Sequence, residues 1–127
     1  MIKRREPDLI FEDIPCSIVA VGTAIGKMPP RPATLKDDGY MTLADMNGFC
    51  RSLLKVEKMV QFRRGSRPTL KAFLELNKRR AIVCVLGHYL YAERNTYWSF
   101  HRNGKDEVVA VWYLKKEEEY VSKQRNH

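Results

Sequence analysis

The last third of the chain most constrains what it can fold into. AIVCVL (81–86), HYLYAE (88–93), TYWSFH (96–101) and EVVAVWYL (107–114) are short runs dense in β-branched and aromatic residues. Such side chains suit a pleated, half-buried surface. Arg94-Asn95 and Asn103-Gly104-Lys105 supply turns between them. The pattern predicts an antiparallel sheet. If Arg94-Asn95 is a two-residue turn, Glu93 opposes Thr96 and His88 opposes His101. Ser99, His101 and Asn103 then share the face that His88 uses, and Glu93 takes the other.

The residues before this sheet read as helices and loops. Residues 1–13 are charged and are expected to be a lead-in arm. In PCSIVAVGTAIG, Pro15 can start a helix, because its missing N–H falls among donors unpaired there anyway. Gly26 can end it. The segment is apolar on most sides, so such a helix would be buried; its β-branched run also allows a strand. Lys27–Gly39 holds three prolines and is read as a loop that either covers a groove or only connects helices. Thr42 and Asp45 resemble a capping box. Leu43, Met46, Cys50, Leu53 and Leu54 then fall on one stripe, giving an amphipathic helix over Leu43–Leu54. Residues 55–64 suit a short strand or an irregular connection. Ser66 or Arg67 can cap a further helix that buries Leu70, Phe73 and Leu74 and ends near Asn77. Residues 115–127 form a mixed-charge tail. At 127 residues the chain is one domain. Helices first and strands after predict an α+β fold, with residues 14–114 as its core.

Charge is unevenly placed. The formal net charge is +8, with 23 Lys+Arg against 15 Asp+Glu. Residues 51–80 hold ten basic residues and two acids, so this one stretch accounts for the whole excess. It can steer an acidic protein or nucleic acid, or it can simply keep a small protein soluble. Arg63, Arg64, Arg67, Arg79 and Arg80 are the candidate contacts to an anionic partner. Tyr89, Tyr91, Tyr97, Trp98, Trp112 and Tyr113 could stack on bases, although aromatics on a sheet more commonly form its core. No helix-turn-helix, zinc-finger or RNA-recognition motif supports nucleic acid.

Other classes are disfavoured. The apolar run Cys16–Gly26 is far short of the roughly 18–20 residues that span a bilayer. The acids Glu6, Asp8, Glu12 and Asp13 before it do not suit a signal peptide. A cytoplasmic protein is expected. Cys16, Cys50 and Cys84 show no CxxC spacing, so neither a disulfide framework nor a zinc knuckle is expected. No metal or cofactor is called for.

Two residues can carry chemistry. Cys16 at a helix N-terminus meets the positive end of the dipole and exposed backbone N–H groups, both of which favour the nucleophilic thiolate. His88 follows Gly87 at the start of a strand, well placed for a base that must meet a helix-borne thiol. Cys50 and Cys84 suit the core.

The pair carries a resemblance. Early PCSIVAVGTAIG, a middle helical region, RPTLKAFLELNKRRAIVCVLGHYLYAERNTYWSF and closing strands resemble a small papain-like cysteine-peptidase fold. The compact phage and prophage versions are most similar. The resemblance implies N-terminal helices packed on a C-terminal antiparallel sheet, with Cys16 as nucleophile and His88 as base. It implies hydrolysis of a peptide or amide bond. The family's acidic orienting position falls near Ser99, which cannot help as a carboxylate would; Asn103, on the same face, could do so as an amide. Pro15 replaces a polar neighbour of the nucleophile, and no upstream glutamine supplies an oxyanion donor. The alternative expectation is a non-catalytic phage-type protein of this fold that binds a host protein or nucleic acid through residues 51–80.

Overall fold

The computed structural model describes residues 2–100, 102 and 104–116. The expectations for His101, Asn103 and residues 117–127 lie outside the described residues. The order is β1 (Lys3–Arg5), a single 3-10 turn (Leu9–Phe11), α1 (Cys16–Ile25), α2 (Leu43–Leu53), β2 (Val56–Gln61) and α3 (Leu70–Leu76). Then follow β3 (Ala81–Val85), β4 (His88–Glu93), β5 (Thr96–Trp98) and β6 (Val108–Leu114). The strands form one six-stranded sheet in the order β1-β5-β4-β3-β6-β2.

The fold is α+β, as the sequence predicts, but the sheet is mixed. Pairs among β2 to β6 are antiparallel. The exception is β1, which runs parallel to β5. Residues 1–13 are therefore not merely a lead-in arm: they supply an edge strand and a turn whose Phe11 is buried. The pairing Glu93↔Thr96 follows the expected register, with Arg94 taking the positive φ of the turn. The ladder to β4 stops at Trp98, short of the strand end expected at His101.

Alternation along β3 divides the core. Ile82 and Cys84 face α1 and α2, while Ala81, Val83 and Val85 face α3. The helices thus cover both faces of the sheet rather than one. Residues 55–64 resolve into β2, which lies at the edge beyond β6.

Local signals account for the helix ends. Pro15 stands as N-cap of α1, and Gly26 closes it in the left-handed region at φ 80°. Residues 16–25 are thereby helix and not strand. The Thr42 hydroxyl accepts from Asp45 N at 3.1 Å. The third helix is capped by Thr69, which accepts from Ala72 N at 3.1 Å, and not by Ser66 or Arg67. Its start is also held by the 104–106 loop: Leu70 N and Lys71 N donate to the carbonyls of Asp106 and Gly104. Side chains then tie the layers. Trp112 Nε1 donates to Asn47 Oδ1 at 3.0 Å, and Arg80 Nη2 donates to Ala24 O at the C-terminal turn of α1. Among the described residues, no helix is long and apolar enough to cross a membrane.

Candidate functional site

The N-terminus of α1 meets the β3–β4 turn at a cavity of about 850 Å³. The turn is short because Gly87 adopts φ 75°, a region that other residues avoid. Val85 to Tyr89 form one wall, with Pro15 and Cys16 at the helix start. The loop that sequence left undecided supplies another wall: Arg31, Asp37, Asp38 and Gly39 line it, next to Tyr40. Asp38 Oδ1 accepts from Tyr40 N at 2.9 Å and shapes that bend. A second cavity of about 340 Å³ adjoins Cys16, His88, Trp98, Ser99 and Phe100.

The three thiols differ in environment. Cys50 is 0% exposed and Cys84 is 7% exposed, and burial pushes each up to about 12. Both stay protonated and behave as small core residues, as expected. Cys16 is half-buried and lines both cavities. No side chain caps the helix that begins with it. Behind it, Ser17 Oγ is buried with no hydrogen-bond partner among the described residues.

His88 and Ser99 come together: Nε2 and Oγ lie 2.9 Å apart. Strand parity put Ser99 on the face that His88 uses, with His101 expected directly opposite the ring. Ser99 is 2% exposed, so its hydroxyl is a sheltered partner. Register also bears on the thiol. His88 pairs with Val85, whose side chain lies in the core under α3, whereas Tyr89 turns toward α1. His88 thus has the strand parity of the α3 face, yet at the end of β4 it lines both cavities. No hydrogen bond joins the Cys16 thiol to the His88 ring among the described residues. Asn103, the other expected orienting residue, lies outside those described.

The fold divides the basic stretch. Arg79 Nη2 donates to Leu114 O at 3.0 Å, and the side chain pairs with Glu57 and stacks on Tyr113. Arg80 Nε donates to Tyr91 Oη at 2.8 Å, beside its bond to α1. These two half-buried guanidinium groups are engaged within the fold, unlike the exposed Arg63 and Arg64. Arg67 is half-buried. Arg63 and Arg64 are exposed beyond the end of β2. The aromatics Tyr89, Tyr91, Tyr97 and Trp112 are buried in the sheet's cores, so they are not a stacking platform.

Sequence reasoning missed Asp13, Arg31, Asp37, Asp38 and Tyr40 as cavity residues. Their only signal was membership of polar segments, which does not say what a loop lies against. Among the described residues, no cluster of three or more His, Cys, Asp or Glu side chains is placed to hold a metal ion. Searches against protein-family models, curated proteins and solved structures found no match to this chain.

Proposed function

We propose that the chain is a cysteine-dependent hydrolase of peptide or amide bonds, with a papain-like division of labour similar to that of compact phage peptidases. The observation that carries this reading is the shared cavity. The one thiol of the three that is not sealed in the core opens onto the same space as an imidazole held by a buried hydroxyl. In the reaction the Cys16 sulfur attacks the carbonyl carbon, and His88 takes the thiol proton. The carbon–nitrogen bond then breaks, and His88 passes that proton to the leaving amine. Water hydrolyses the resulting thioester, with His88 as its base. Ser99 Oγ lies against Nε2 and steadies the ring. The ring must close on the thiol when substrate fills the cavity; such contacts are often loose in unliganded sites.

The test is hydrolysis of a fluorogenic peptide and isopeptide panel by wild-type protein, Cys16→Ala and His88→Asn. The expected result is activity abolished by Cys16→Ala and lowered about 10²–10⁴-fold by His88→Asn. Hydrolysis that survives Cys16→Ala, or no turnover of any member, would overturn the reading.

A second reading rests on a specific observation. The thiol–imidazole bond is not made, and Arg63 and Arg64 are exposed beside an edge strand. A non-catalytic protein that holds an acidic host protein or nucleic acid there would show strongly salt-dependent binding. That binding would survive Cys16→Ala and be lost in Arg63→Gln/Arg64→Gln.

A further inference from the structure

The position of Ser99 is not set by the strand that carries its partner. The β4–β5 ladder covers Tyr91↔Trp98, Ala92↔Tyr97 and Glu93↔Thr96. Ser99 lies beyond it, where the two strands have parted. Both of its backbone groups are taken instead by β1. Ser99 N donates to Arg5 O at 3.0 Å. Ser99 O accepts from Arg4 Nη1 at 2.9 Å, and the same nitrogen donates to Phe100 O at 3.1 Å.

The strand β1 covers the free edge of β5, and next to it Ile2 packs against the α3-side core. All three of its residues are exposed, so it buries no apolar side chain. It is held by backbone pairing, including Lys3 N to Asn95 O at 2.8 Å, and by the Arg4 side chain. The Arg4–Glu6 contact of 3.9 Å is long and exposed, and adds little. A guanidinium that bridges two successive carbonyls fixes the direction in which a chain leaves a sheet.

We propose that Arg4 is a positioning residue for His88. It acts through Ser99: the guanidinium and the Arg5 carbonyl hold the Ser99 backbone, and so hold Oγ on His88 Nε2. The inference needs only the His88–Ser99 pair and goes beyond the hydrolase reading; it would stand even if no amide bond were ever cleaved. Its consequence is that the tautomer balance of an imidazole on β4 responds to residue 4. A hydroxyl against Nε2 can donate or accept, so moving it away changes the relative stability of the two ring tautomers.

The experiment is nitrogen-15 NMR of the imidazoles in the full chain, with the His88 signals assigned by their loss in His88→Asn. Tautomer balance is read from the two ring-nitrogen shifts in wild type, Ser99→Ala, Arg4→Gln and Arg4→Lys. Ser99→Ala is expected to move the balance. Arg4→Gln is expected to move it in the same direction, and the double variant no further. Arg4→Lys, whose ammonium can still donate to these carbonyls, is expected to recover most of the wild-type balance. Backbone amide shifts of β3 serve as the fold check; Arg4 is partly exposed, so they should stay in place. A wild-type balance in Arg4→Gln beside a changed one in Ser99→Ala would overturn the proposal. So would an unchanged balance in Ser99→Ala, because there would then be no bond to position. The peptide panel decides hydrolysis separately, so the two readings fail on different measurements.

Discussion

At the scale of single residues, burial separates groups that look alike in the sequence. Cys50 is sealed on the buried side of α2, and desolvation pushes its thiol up to about 12 despite the neighbouring Arg51. A raised thiol value means that the folded state keeps a proton which the unfolded chain releases above about pH 8.5. The stabilisation is complete below that pH and is lost as pH rises toward 12. Stability should therefore fall along this alkaline limb by about 1 kcal/mol per pH unit for each such thiol. Cys50→Val should flatten the limb by that amount in urea unfolding at pH 9 to 11; an unchanged slope would contradict it. In the native protein at neutral pH, iodoacetamide should label Cys16 alone, as mass spectrometry of its peptides would report. Labelling of Cys50 or Cys84 at a comparable rate would show that the thiols are not ranked as the structure ranks them. Ser17 supplies a third expectation. Its Oγ is buried without a partner, a situation that costs about 1–3 kcal/mol. Ser17→Ala should stabilise the fold by about 1 kcal/mol in thermal or urea unfolding.

At the scale of elements, the sequence was informative wherever a local rule operated. Thr42, Gly26 and the Arg94-Asn95 turn act through neighbours a few residues away, so their elements could be read directly. That turn also sets the parity by which Ser99 and His88 share a face, but the contact itself lies beyond the paired residues. By contrast β1 was illegible. Lys3-Arg4-Arg5 has no apolar alternation, and its hydrogen bonds go to a strand more than ninety residues away. Similarly, no local signal tells a loop that it will wall a cavity, as Asp37 and Asp38 do. The close contact between α1 and the first turn was hidden for the same reason. A Cβ on Gly22 would lie 2.5 Å from Phe11 Cε1. Gly22→Ala gains about 1 kcal/mol of helix propensity yet must displace a buried ring. It should destabilise by about 1–3 kcal/mol net in urea unfolding. A stabilised variant would mean that Phe11 does not seat against α1.

At the scale of the whole molecule, the sheet joins two kinds of part. Strands β3 and β6 lie inside the sheet with helices over both faces, and most of their residues are fully buried. The edge strand β1 has neither cover nor apolar side chains. Such a strand opens at a small fraction of the global unfolding free energy. In native-state hydrogen exchange, the Lys3 and Ser99 amides should therefore exchange well ahead of those of Val83 and Val111. Equal protection would show β1 to be part of the cooperative core.

The parallel pairing of β1 with β5 also has a consequence in time. Residue 3 is synthesised 93 residues before its partner, residue 96. At about 5–20 residues per second, the first strand waits roughly 5–20 s for a partner to exist. Ser99 cannot be held until then, and neither can the imidazole that depends on it. Whatever chemistry His88 serves, a growing chain cannot perform it with the ring held in place before β5 is made and joined to β1.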